Sequence, residues 1–163
     1  FFVLVPEQSL LNNIDRCWNW FLDLNQDRGH VNEPGQIVGA VETIAATRRI
    51  DRERIFLAGM SAGGVMSHNL AVCYPDVFAG VAIHSGLAYK VAENLYEAQT
   101  VLTSSKLKSP NYLGEAAYLC SRDLPRKRLT KMLLIHGNQD RRVDPYHMEL
   151  ISKTNEVMLD FQD

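Results

Sequence analysis

The chain is poor in the features that would assign it to several large classes. No apolar run approaches the roughly 18 residues needed to span a bilayer, so the sequence predicts no membrane insertion. Its net charge is only −2 over 163 residues, which gives no bulk attraction for nucleic acid or an anionic surface. The one basic run, Arg122 to Lys131, reads as a solvated loop. No His-x-x-x-His, Cys-x-x-Cys or Gly-x-Gly-x-x-Gly spacing occurs, so no metal and no organic cofactor is expected. There are no internal repeats and no low-complexity tract. Cysteine is scarce: with three, at least one lacks an internal partner. Cys73 reads as a small buried apolar residue. Cys17 lies in a polar loop, where a free thiol or a disulfide to another segment both fit. The chain also lacks an initiator Met and a polar lead-in, and residues 156–163 read as the middle of an element. The expectation is therefore one partial domain over residues 1–163, continued on both sides in a longer chain.

What is present is an ordinary globular composition, 46% hydrophobic and 22% charged, carrying a strand–helix alternation. Phe1–Val5 reads as a buried strand. Residues 6–33 form a long irregular stretch, and its Cys-Trp-Asn-Trp-Phe core argues that it is ordered. Apolar positions from Pro34 to about Arg49 fall at helical spacing, with Pro34 suited to the first turn. Ile55–Ala58 reads as a strand, Ala62–Cys73 as a helix and Phe78–Ile83 as a strand. Val91 to Leu102 and Tyr112 to Leu119 read as helices, Met132–Ile135 as a strand, and a last helix starts at Pro145. Such alternation predicts right-handed crossovers and a parallel sheet with helices on both faces.

The most informative stretch is Gly59-Met60-Ser61-Ala62-Gly63-Gly64. It fits Gly-x-Ser-x-Gly between a strand and a helix, the context of the α/β-hydrolase nucleophile elbow. Gly59 and Gly63 are read as small because the turn crowds its own backbone. Ser61 would present its hydroxyl at the tip of the turn, and the Ala62 amide at the helix start would donate to an oxyanion. A serine nucleophile needs an imidazole base, and that base needs an acid. The polar turn after Ile135 offers Asp140 and Asp144. Asp140 is nearer the strand end and is the predicted acid; Asp144 precedes Pro145 and reads as a helix cap. The histidines (His30, His68, His84, His136 and His147) all sit poorly for a base. His147, the only one after Asp140, lies in the following helix, so the catalytic histidine is expected beyond Asp163.

Further segments strengthen the assignment. Phe2-Val3-Leu4-Val5-Pro6-Glu7-Gln8-Ser9, Cys17-Trp18-Asn19-Trp20-Phe21, the Ser61 elbow, Tyr74-Pro75-Asp76-Val77-Phe78-Ala79, His84-Ser85-Gly86 and His136-Gly137-x-x-Asp140-x-x-Val143 stand in one order. In that order the chain resembles the polyhydroxybutyrate depolymerase-type esterases, relatives of feruloyl and acetylxylan esterases. The resemblance covers nearly the whole chain. It implies an α/β-hydrolase fold truncated at both ends, with Ser61 as nucleophile and Asp140 as acid. It further implies a histidine in a later Gly-His segment and a second oxyanion donor ahead of the first strand. Cys17 would pair with a cysteine in that preceding loop, and the protein would be extracellular or periplasmic.

The expected function is a serine carboxylic-ester hydrolase acting on polyester or polysaccharide-linked esters: polyhydroxyalkanoate, feruloyl or acetyl. Trp18 and Trp20 are candidates for lining its acyl or alcohol pocket or for anchoring the loop, and the sequence leaves both open. A peptidase, thioesterase or acyltransferase could share the scaffold. A hydrolase-like binding domain is the alternative from another class, though it has no need of an exposed, strained serine.

Overall fold

The computed structural model describes residues 1–104, 107–124 and 130–161. Its sheet has three parallel strands in the order β1-β2-β3: β1 (Phe56–Met60), β2 (Gly80–His84) and β3 (Lys131–Ile135). The register aligns Met60, His84 and Ile135 at the C-terminal edge. Five α-helices stand among the described residues: α1 (Glu33–Thr47), α2 (Ala62–Cys73), α3 (Leu95–Val101), α4 (Pro110–Ser121) and α5 (Tyr146–Asp160).

The helix starts follow from capping chemistry. The side chains of Asn32, Asn94 and Ser109 accept from Gly35, Glu97 and Tyr112 amides, each satisfying a donor that the first turn leaves free. Pro34 and Pro110 occupy first-turn positions where no amide is required. Helix α2 is buried on every side from Gly64 to Cys73, as expected for an apolar helix at the centre of a layered domain. It packs with α4 and α5 on the sheet face that carries Leu57, Val81, Ile83, Met132 and Leu134. On the opposite face Phe56, Met60, Leu133 and Ile135 are exposed.

Three expectations change. Residues 1–5 have no regular secondary structure, are exposed and pair with no strand among the described residues. Their apolar run fits a strand, but a strand without a hydrogen-bonded neighbour has nothing to hold it. The helix read from Val91 begins only at Leu95. Val91 and Ala92 instead bury in a loop, where the Ala92 carbonyl accepts from Gln26 Nε2 at 2.7 Å. Cys73 is buried, yet it is not a lone apolar residue: it forms a disulfide with Cys120, joining α2 to α4. Cys17 is exposed and unpaired among the described residues. Half of the basic run, residues 125–129, lies outside the described residues.

Candidate active site

Ser61 connects β1 to α2 with φ 53° and ψ −124°, a left-handed conformation uncommon for a residue with a Cβ. Its amide donates to His84 O at 3.0 Å, and its carbonyl accepts from Val65 N at 3.0 Å. The strain thus falls on the serine itself; no glycine among the described residues has a positive φ. What the glycines supply is space. A methyl on Gly59 would sit 2.1 Å from Gly63 O and 2.5 Å from Ser67 Oγ. One on Gly64 would meet His84 O at 3.1 Å and Gly59 O at 3.2 Å. The crowding read at Gly63 belongs to Gly64, because a methyl on Gly63 would meet only Trp18, at 3.9 Å. The Ser61 side chain makes no capping hydrogen bond to the α2 N-terminus, whose first amides have no acceptor within the helix.

The turn after β3 brings Asp140 to the same edge of the sheet. Ser61 follows β1, Ser85 follows β2, and the Ser85 amide extends the ladder to Ile135 O at 2.9 Å. Asp140 Oδ1 accepts from the amides of Arg142 (2.9 Å) and Val143 (3.0 Å). Its Oδ2 lies 3.5 Å from His136 Nε2, whose ring is nearly fully buried and lies 3.0 Å from Val143 O. The Val143 and Arg142 amides, in that order, hold the carboxyl below the usual Asp range, with smaller help from the Ser85 hydroxyl and His136. A carboxylate kept ionised in this way suits an acid that orients and charge-stabilises an imidazole. Asp144 Oδ1 accepts from Tyr146 N at 2.9 Å and so serves the start of α5.

Among the described residues no histidine ring is hydrogen-bonded to the Ser61 hydroxyl. His147 is buried with Nε2 2.7 Å from Val101 O. His68 is fully buried in α2, and its Nδ1 accepts from Tyr89 N at 3.0 Å. Burial pushes its pKa down to about 4. His30 and His84 are exposed.

The tryptophans divide. Trp20 is buried in the core, edge-on to Phe21 with ring centroids 5.6 Å apart, and its carbonyl accepts from Asn69 of α2 at 3.2 Å. Its ring is thus part of the core. Trp18 is half-buried beside Gly63. The loop between them is fixed by the buried Glu33 carboxylate, which accepts from Gln8 Nε2 (2.5 Å), Asn19 N (2.8 Å) and Asn19 Nδ2 (2.7 Å). Sequence reading missed this network. The dense Asn and Gln content of residues 8–32 was its only signal.

Comparison with known proteins agrees with this geometry. The family model described as esterase PHB depolymerase matches residues 1–153. The chain is 33% identical over 147 residues to poly(3-hydroxyalkanoate) depolymerase C of Paucimonas lemoignei, covering 89% of this chain and 34% of that protein. It is 32% identical over 95 residues to feruloyl esterase B of Thermothelomyces thermophilus, covering 56% of this chain and 31% of that one. It thus spans about a third of the length of these relatives. The solved acetyl xylan esterase from Aspergillus awamori superposes with a TM-score of 0.80 at 18% identity, over 89% of this chain and 54% of that one, which shows the shared α/β-hydrolase fold.

Proposed function

The chain belongs to the esterase PHB depolymerase family, and from that premise we propose that it is the catalytic core of a serine carboxylic-ester hydrolase. Ser61 Oγ attacks the ester carbonyl while a histidine from outside residues 1–163 takes its proton. Asp140 orients that histidine and stabilises the imidazolium that forms. The Ala62 amide, at the positive end of α2, stabilises the tetrahedral oxyanion. Collapse of that intermediate expels the alcohol, protonated by the same imidazolium, and leaves an acyl-Ser61. Water, deprotonated by the histidine, then releases the acid. This sequence needs no metal and no organic cofactor. The observation that carries the reading is the strained Ser61 at an uncapped helix start, with the amide-held Asp140 on the same sheet edge.

The substrate is an ester of a polymer, a polyhydroxyalkanoate or an acetyl or feruloyl group on a polysaccharide, consistent with the names of the relatives. Trp18, beside the first turn of α2, is positioned to touch its acyl or alcohol part. The protein works outside the cytosol, in an extracellular or periplasmic setting. The Cys73–Cys120 disulfide supports this, since such bonds persist in oxidising compartments. Cys17, exposed and free, pairs with a cysteine outside residues 1–163.

The test is Ser61→Ala in the full-length enzyme with p-nitrophenyl butyrate as substrate. Loss of turnover by about 10⁶, with an unchanged circular dichroism spectrum, is expected for an essential nucleophile. Activity within tenfold of wild type would exclude Ser61 from the role.

A further inference from the structure

The turn that carries Asp140 closes on itself. It leaves β3 at His136, and the Asp140 amide donates back to Gly137 O at 3.1 Å. Asp140 Oδ1 accepts from the Arg142 and Val143 amides. The Val143 carbonyl then returns to the start of the turn, where His136 Nε2 stands 3.0 Å away. Both ends are anchored from outside. Ser85 N donates to Ile135 O at 2.9 Å, and Asp144 N donates to Leu102 O at 2.8 Å. The Val143 side chain is buried in the core. Between these anchors the His136 ring, with its side chain only 2% exposed, bridges the turn from the inside. It meets the backbone seven residues on and the carboxylate four residues on.

A backbone carbonyl can only accept, so His136 Nε2 carries the hydrogen that Val143 O receives. Asp140 Oδ2 lies 3.5 Å from the same nitrogen. The donor is thus shared, with a short arm to the carbonyl and a long arm to the carboxylate. A phenylalanine ring would fill much of the same space; what the imidazole adds is this donor. Two amides pin Oδ1, and the ring faces Oδ2, so both oxygens of the carboxylate are referred to one frame. The Asp140 side chain still keeps 21% of its surface, which leaves it reachable by an incoming imidazole. We propose that His136 is a positioning residue for the ester hydrolysis: its Nε2–H ties the end of the acid turn to its start and orients Asp140 Oδ2 for the histidine that Asp140 serves. Without the donor the carboxylate turns about its two-amide hinge, while substrate and nucleophile are untouched. This rests on the reading of Asp140 as the acid.

The experiment uses the full-length enzyme with p-nitrophenyl butyrate. His136→Phe keeps a planar ring and removes the donor, whereas His136→Gln returns an amide N–H near the place of Nε2. His136→Phe is expected to lower kcat about tenfold, the scale of a hydrogen bond to a charged group, with KM within about twofold, and His136→Gln to stay within about threefold of wild-type kcat. In an Asp140→Asn background His136→Phe is expected to cost less than about twofold, because the two residues act through one interaction. Circular dichroism reports folding, and His136→Leu replaces the phenylalanine variant if that one does not fold. Wild-type kcat in the donor-free variant overturns the inference. Equal losses in His136→Phe and His136→Gln overturn it too, since the ring's shape and not its donor would then matter, and so does an equal loss in both Asp140 backgrounds. If Asp140→Asn alone costs less than about tenfold, far from the loss expected of a triad acid, the fault lies in the assignment of the acid, and the inference falls with it.

Discussion

Gly59→Ala is the substitution for which the geometry gives the sharpest answer. The added methyl would lie 2.1 Å from Gly63 O and 2.4 Å from Gly63 C. An ordinary C···O contact is about 3.3 Å, so the first turn of α2 and β1 must separate by roughly 1 Å. The obstacle is backbone, and no rotamer change relieves it. Overpacking of this kind costs about 3 kcal/mol or more, a large share of a typical stability of about 5–15 kcal/mol. The same shift moves Ser61 and the Ala62 amide, and a misplacement of about 1 Å at reacting groups costs on the order of 10²-fold in rate. Gly39→Ala is the matched control. It lies in the interior of α1 with nothing within 4 Å of an added methyl, so it is expected to stabilise by about 0.5–1 kcal/mol. Urea unfolding and kcat on p-nitrophenyl butyrate measure both effects in the full-length enzyme. A Gly59→Ala variant within about 0.5 kcal/mol and twofold of wild type would refute the packing argument at the elbow.

The remaining predictions concern the acid, the disulfide and a buried base. Asp140→Asn is expected to lower kcat by about 10⁴ through the wrong histidine tautomer, while Asp144→Ala costs about 1 kcal/mol of stability as a lost helix-start acceptor and little activity; the reverse ranking of the two kcat values would reassign the acid. Reduction of Cys73–Cys120, which closes a 47-residue separation, is expected to destabilise by about 4 kcal/mol on the chain-entropy model. An unchanged urea midpoint in a thiol reductant would contradict that. His68 is neutral in the fold with its pKa pushed down to about 4 from 6.5. Between those values the unfolded chain binds the extra proton, so stability rises with pH, and on the order of 3 kcal/mol is lost as pH falls from 6.5 to 4. His68→Asn, which can still accept from Tyr89 N, removes that part of the acid sensitivity. The lowered pKa of His147 acts in the same direction and keeps part of it. Equal pH slopes in variant and wild type would show that His68 is not the source.

The legible parts of this molecule are those set by neighbours in sequence. The bounds of α2, Ala62 to Cys73, follow from one strained residue before it and a Tyr-Pro-Asp stop after it. Pro34 and the apolar spacing behind it mark α1 to within two residues. Asp140 and Asp144 separate because one lies near a strand end and the other before a proline. What stayed hidden depends on partners far along the chain. An apolar run such as Phe1–Val5 does not reveal whether a strand lies beside it. Cys73 and Cys120 are 47 residues apart, and no local pattern marks either as paired. Trp18 and Trp20 differ only by which side of the loop meets the core. His84-Ser85-Gly86 entered the resemblance as a segment, but nothing in it marks the backbone of Ser85, which repeats after β2 the positive φ of the serine that follows β1.

The central claim is that Ser61 is an activated nucleophile, and covalent trapping tests it most directly. The full-length enzyme should be treated with a fluorophosphonate at neutral pH, digested and mapped by mass spectrometry. The account predicts a single phosphonyl adduct on the peptide containing Gly59-Met60-Ser61-Ala62-Gly63-Gly64, loss of esterase activity in step with labelling, and no adduct in Ser61→Ala. An enzyme that hydrolyses esters while Ser61 stays unlabelled, or that is inactivated by an adduct at another residue, would contradict it.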